Sequence, residues 1–298
     1  MTTNPRPVAR IVPVPEPVPM PEHIPVQDTR TNLFIELENV TVSYGKGPNA
    51  TKALEDISLQ IGEGDFIALV GPSGCGKSTI LKLVGDLLKA SSGHVFVAGR
   101  EVGAQDVRIG MAFQNPTLLP WLSIRDNVML PLKIVQPFRA HWAAKRKGEY
   151  RDRAEALLAK VGLKDFGSKY PWQLSGGMQQ RASLCRALIH DPNLLLLDEP
   201  FGALDQFTRE ELWGILQTLW IDTKPTVLLV THDLRESAYL ANRIVVMSAR
   251  PGRILVDEPV GFARPRSIDT TFEPGFTTLT HKLRTLIVEA RSAVGAAP

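Results

Sequence analysis

The stretch that most constrains this chain is Gly71-Pro72-Ser73-Gly74-Cys75-Gly76-Lys77-Ser78-Thr79, directly after the apolar run Phe66-Ile67-Ala68-Leu69-Val70. It satisfies G-x-x-x-x-G-K-[ST] in the strand-loop-helix setting that gives the pattern its mechanism, a P-loop. The glycines permit a tight loop whose amide N–H groups point inward at phosphate oxygens, and the helix that follows adds its positive N-terminal end. Lys77 then reaches the terminal phosphates of a nucleotide such as ATP, and Ser78 ligates Mg2+.

Other segments extend the architecture. Leu194 to Leu197, Val227 to Val230 and Ile244 to Met247 are continuous apolar runs, like Phe66 to Val70. Such runs suit strands covered on both faces by helices, so a parallel α/β core is expected. Phe34 to Leu37, Val40 to Tyr44 and Ile57 to Ile61 alternate apolar with polar at period two, which predicts half-buried antiparallel strands. From about 117 to 173 the texture changes again. Tyr150, Ala154, Leu157, Leu158 and Val161 form one stripe at helical spacing, predicting an inserted helical subdomain. Past Leu255 the chain reads as loop, punctuated by Pro259, Pro265 and Pro274, until an amphipathic helix around Leu279 to Val294. The domain reading is therefore a prolyl arm over 1–30, a catalytic domain over 31–255 and a C-terminal extension over 256–298. Prolines interrupt the arm every few residues, favouring extended polyproline conformation and leaving no apolar core for a signal peptide.

Leu194-Leu195-Leu196-Leu197-Asp198-Glu199 delivers two carboxylates to a strand end. Asp198 is the expected metal ligand. Glu199, beside the terminal phosphate, is the candidate general base, because a carboxylate there orients and polarises the attacking water.

Just before that strand stands Leu174-Ser175-Gly176-Gly177-Met178-Gln179-Gln180-Arg181. A serine beside two glycines at a helix start makes a second anion site from a hydroxyl and free amides. With this string the chain resembles the ABC ATPase family, whose signature is LSGGQ-like. Met178 replaces the glutamine of the commonest form and leaves the phosphate-binding atoms in place. The resemblance covers about Leu33 to Arg253. It implies a RecA-like P-loop NTPase core with an antiparallel β subdomain and a helical subdomain. It also implies that Ser175, Gly176 and Gly177 face the P-loop of a second copy, sandwiching ATP across a head-to-tail dimer. Further matches follow in family order: Tyr44 stacking on adenine, Gln114 as the Q-loop residue near metal and water, Ala203-Leu204-Asp205 as the D-loop, and His232 at the γ-phosphate.

Phe113-Gln114-Asn115, Leu118-Leu119-Pro120-Trp121, Asp126-Asn127-Val128 and Met247 to Ile254 look like the nitrate, sulfonate and taurine importer group. That likeness implies a bacterial importer ATPase at the cytoplasmic face of the inner membrane. It would work with separate permease subunits and, through them, a solute-binding protein. Leu118, Leu119 and Trp121 are the expected permease contacts. Soluble ABC ATPases acting on DNA or ribosomes would share every nucleotide-site motif, but usually carry two ATPase domains in one chain or a long coiled-coil insert, and neither occurs here. A balance of 34 basic against 31 acidic side chains leaves no block suited to nucleic acid. No apolar run approaches the roughly 20 residues of a membrane helix, so other chains must span the bilayer. Cys75 and Cys185 stand alone, with no disulfide or zinc spacing.

Overall fold

The computed structural model describes residues 33–45, 47, 50–103, 107–202 and 204–295. The prolyl arm lies outside them, as does Ala203. Among the described residues no helix is long and apolar enough to cross a membrane.

Two sheets organise the described residues. The first is antiparallel, in the order β2 (Thr51–Gly62), β1 (Leu33–Tyr44), β4 (Ser92–Val97), β5 (Arg100–Glu101). The second runs β10 (Ile254–Pro259), β9 (Arg243–Met247), β3 (Phe66–Val70), β8 (Thr226–Val230), β7 (Leu194–Asp198), β6 (Ile109–Ala112). All its pairings are parallel except that of β10 with β9.

The central strands are apolar throughout because each face meets a different core. In β3, Phe66, Ala68 and Val70 pack into a cluster with the helical subdomain and the C-terminal helix, while Ile67 and Leu69 pack towards the antiparallel sheet and α1 (Lys77–Val84). Strand β1 changes parity: Ile35 and Leu37 are buried, then Val40 and Val42. A register shift between Leu37 and Val40, with Asn39 at φ 49°, is the β-bulge that keeps both halves facing inward.

The helical insertion comprises α2 (Ile124–Ile134), α3 (Phe138–Lys145) and α4 (Glu149–Lys160), followed by α5 (Gly176–Leu188). Helix α6 (Gln206–Thr223) joins β7 to β8, α7 (Leu234–Leu240) joins β8 to β9, and α8 (Pro274–Gly295) follows β10. Tyr150, Ala154 and Leu158 form the buried stripe of α4, as their spacing predicts.

Past Leu255 the chain is not loop as its sequence suggests. Residues 254–259 are β10, and Val260, Phe276 and Leu283 enter the same core as the catalytic strands. The strand carries a weak sequence signature because it is an edge: its residues alternate between half-buried and exposed, and it ends on a proline. Strand β6 was also unforeseen. It is four residues long and contains Gly110, where a Cβ would stand 2.1 Å from the Ala187 carbonyl oxygen. The close approach of α5 demands glycine there, and glycine erases the strand signature.

Candidate active site

Four adjacent parallel strands deliver the predicted chemistry from their carboxyl ends, where open α/β sheets bind ligands. Strand β3 leads into the loop 71–76, β8 into Thr231-His232, β7 into Asp198-Glu199, and β6 into Phe113-Gln114. Residues more than 150 apart in the chain thus meet because hydrogen-bond register aligns the strand ends.

The loop 71–76 is locked by its neighbours. Gly76 has φ 100°, and a Cβ there would fall 2.4 Å from Leu54 Cδ2 of β2. Lys77 Nζ donates to the carbonyl oxygens of Gly71 and Pro72, each at 2.9 Å, which curls the loop around its ammonium. Ser78 Oγ donates to Asp198 Oδ1 at 2.9 Å. Burial pushes the Asp198 carboxyl above its ordinary range, the Ser78 hydrogen bond pulls it back, and the neighbouring Glu199 pushes it up.

Glu199 lies beside that pair on an unusual backbone. Its φ of 46° is left-handed, which costs roughly 1–2 kcal/mol for a residue with a Cβ. The strained turn is held by Glu199 N–H donating to the Val230 carbonyl at 2.9 Å and Gly202 N–H donating to the Glu199 carbonyl at 3.2 Å. The carboxylate sits between two polar groups: Gln114 Nε2 donates to Oε2 at 3.1 Å, and His232 Nδ1 stands 3.3 Å from Oε1. One cavity of about 510 Å³ is lined by Tyr44, Ser73, Gly74, Gly76, Lys77, Ser78, Thr79, Gln114, Glu199 and His232. The Tyr44 hydroxyl stands 3.4 Å from Thr79 Oγ1 in this lining.

Not every predicted residue faces this cavity. Gly71, Pro72 and Cys75 are buried, shaping the loop from behind, and burial pushes the other cysteine, Cys185, up to about 12. Ser175, Gly176, Gly177 and Asp205 lie elsewhere on the chain. Ser175 caps α5 by accepting from Met178 N–H at 3.3 Å, and Asp205 caps α6 by accepting from Thr208 N–H at 3.0 Å. The two helix starts adjoin, since a Cβ on Gly177 would lie 2.9 Å from Leu204 Cδ2.

Ala53 and Arg250 also line the cavity and were not foreseen. Arg250 arrives on the turn after β9, which docks on β2: Gly252 N–H donates to Ala53 O at 2.9 Å, and Glu55 N–H donates to Gly252 O at 3.0 Å. Gln180, Arg186 and Asn127 hold the segment around Gln114. Gln180 Nε2 donates to Phe113 O at 3.0 Å, and Arg186 donates to the carbonyls of Pro116 and Thr117. Asn127 exchanges hydrogen bonds with both main-chain groups of Leu119. Beyond them Leu118 packs on the core, Leu119 is half-buried, and Trp121 is 71% exposed.

The ABC transporter family model matches residues 54–202. The chain is 41% identical over 241 residues to the aliphatic sulfonates import ATP-binding protein SsuB of Bacillus licheniformis, covering 81% of this chain and 89% of that protein. It is 38% identical over 266 residues to the taurine import ATP-binding protein TauB of Escherichia coli, covering 87% of this chain and 99% of that one. Among solved structures it is similar to the ATP-binding cassette MJ0796 in a dimeric post-hydrolysis state bound to ADP and Pi. That likeness has 34% identity and a TM-score of 0.68, and covers 76% of this chain and 100% of the other. The phosphate loop, Gln114, Ser175 to Gly177 and the Asp198-Glu199 pair all fall within the matched span, and the chain belongs to the ABC transporter family, as an ATP-hydrolysing, ATP-binding subunit.

Proposed function

We propose that the chain binds ATP with Mg2+ in the cavity at the strand ends and hydrolyses it with Glu199 as general base. The observation that carries this reading is Glu199 itself, held between Gln114 and His232 at the mouth of the phosphate loop. The loop amides and Lys77 neutralise the phosphates, and Tyr44 stacks on the adenine. Ser78, Asp198 and Gln114 offer only oxygen ligands, a hard donor set that suits Mg2+ bound through one or two side chains and the phosphates. When bound, the metal supplies charge neutralisation on the β- and γ-phosphates. Glu199 accepts the proton of the attacking water, and His232 donates a hydrogen bond to the γ-phosphate without fixed charge.

Ser175 to Gly177 and Asp205 complete the site of a second copy in a head-to-tail dimer, which accounts for their distance from this chain's own cavity. We infer that the dimer works at the cytoplasmic face of a bacterial membrane, driving a permease that imports a small sulfonate-like solute such as taurine. Nitrate belongs to the same candidate set. The exposed Trp121, beside Leu118 and Leu119 and one short segment from Gln114, is the anchor for that permease.

Glu199→Gln tests the reading. The amide keeps the size and the contacts with Gln114 but removes the base, so ATP binding persists while turnover falls about 100- to 10,000-fold. Dimers then accumulate with ATP in light scattering. Near-normal turnover would exclude Glu199 as the base.

A further inference from the structure

The turn that carries His232 is braced from behind by a cluster that the nucleotide cavity does not reach. Arg209, on the first turns of α6, donates through Nη2 to the Leu204 carbonyl at 3.1 Å, and its Nη1 pairs with Asp233 Oδ2 at 3.0 Å. Leu204 precedes Asp205, and Asp233 follows His232. One guanidinium therefore ties the Asp205 loop to the His232 turn. Asp233 in turn caps α7, accepting from Arg235 N–H and Glu236 N–H at 2.9 and 3.1 Å.

Glu236 lies beneath this arrangement, 3% exposed. Its Oε1 and the Nε of Arg209 are both buried without a hydrogen-bond partner among the described residues. Burial, reinforced by Asp233, pushes the Glu236 carboxyl up to about 8, so near neutral pH it is an uncharged group able to donate as well as accept. Arg209 and Glu236 both line a small cavity shared with Glu199, Thr231, His232 and Asp233, with about 10 Å³ open to the centre of a water molecule. A buried water needs roughly 10–15 Å³ and two to four polar partners; this cavity stands at the lower bound of that volume and is lined by the two residues that carry the unpartnered atoms.

We propose that this cavity holds one ordered water bridging Arg209 and Glu236, and that these two positioning residues use it to hold His232 and Glu199 in the geometry for hydrolysis. The proposal rests on the reading of Glu199 and His232 as the hydrolytic pair. It explains how a histidine whose side chain is 67% exposed keeps its place beside Glu199: the turn beneath it is pinned by charge and solvation rather than by packing of the ring. It also gives the reaction a link to the neighbouring loop. Displacement of Leu204 and Asp205 reaches His232 through the single side chain of Arg209.

The test uses the full chain with ATP and Mg2+. Arg209→Lys keeps the charge beside Asp233 but loses the Nε–H and one arm of the fork. Glu236→Leu removes the polar oxygens at similar volume. Both are expected to lower kcat about tenfold, while KM for ATP and ATP-dependent dimerisation in a Glu199→Gln background stay within about twofold. Glu236→Gln, which retains polar atoms, recovers most of the rate lost in Glu236→Leu. A high-resolution crystal structure of the parent shows density for the water, and that of Arg209→Lys shows none. Unchanged kcat in Arg209→Lys, a KM that rises in step, a Gln variant as slow as the Leu variant, or an empty cavity in the parent would each overturn the proposal. Should Glu236→Leu fail to fold, the arginine variant and the crystallographic arm still decide. Normal turnover in Arg209→Lys alongside an inactive Glu199→Gln refutes only this inference; normal turnover in Glu199→Gln refutes the reading beneath it.

Discussion

Gly252→Ala should disable nucleotide binding although Gly252 does not line the cavity. Its Cβ would stand 1.9 Å from the Cys75 carbonyl oxygen and 3.0 Å from Met247 Cε. A carbon and a carbonyl oxygen settle at about 3.3 Å or more, so one backbone must retreat by about 1.4 Å. The turn cannot easily yield, because Gly252 is hydrogen-bonded through both its N–H and its C=O to β2. The displacement therefore falls on Cys75 and the phosphate loop around it. Overpacking of this kind costs about 1–3 kcal/mol, and about 1 Å of misplacement in a reacting geometry costs on the order of 100-fold in rate. We expect ATP affinity to fall at least about tenfold by calorimetric titration and the melting temperature to drop by roughly 2–10 °C. Gly214→Ala is the control. Gly214 sits within α6 with nothing within 4 Å of its would-be Cβ, so alanine there should stabilise by about 0.5–1 kcal/mol and leave ATP binding intact. Parental affinity and melting in Gly252→Ala would refute the wedge between the turn and the loop.

Lys77→Ala removes the cation that curls the loop and meets the terminal phosphates, so ATP affinity measured by equilibrium titration should fall sharply while the melt stays near that of the parent. Trp121→Glu should spare the ATPase of the isolated subunit but abolish solute-stimulated hydrolysis in vesicles reconstituted with the permease; a collapsed melt would instead show the ring to be structural. Glu236→Gln should alter the pH dependence of stability. The folded carboxyl titrates near 8 rather than its unfolded value of 4.5, so the unfolded state loses its proton first and the parent loses stability as pH rises through that window. The limit is roughly 5 kcal/mol at about 1.4 kcal/mol per unit. The variant's advantage in denaturant melts should therefore grow from pH 5 to pH 8, and a constant difference would contradict the burial argument.

Much of this protein was legible in its residue order. The phosphate loop and the four apolar runs specify a buried parallel sheet because only strands covered on both faces tolerate unbroken apolar sequence. Glu199 was nameable from the strand end that carries it, whereas Tyr44, Gln114 and His232 were nameable only through the family resemblance, since each taken alone has no distinguishing local pattern. What stayed hidden has one physical cause. Strand β10 takes its stability from pairing with β9, and β6 needs a glycine only because the α5 backbone lies against it. Arg250 reaches the cavity because its turn pairs with β2 about 200 residues earlier, and no local pattern encodes that pairing. Arg209, Asp233 and Glu236 look like ordinary charged residues at two helix starts until the fold buries Glu236 and sets Arg209 against the Leu204 carbonyl. The sequence by itself determined the elements and the chemical types at their ends, through short-range sterics and apolar periodicity. Tertiary structure alone decided which backbones touch and which polar atoms lose contact with water, because both depend on contacts between residues far apart in the chain.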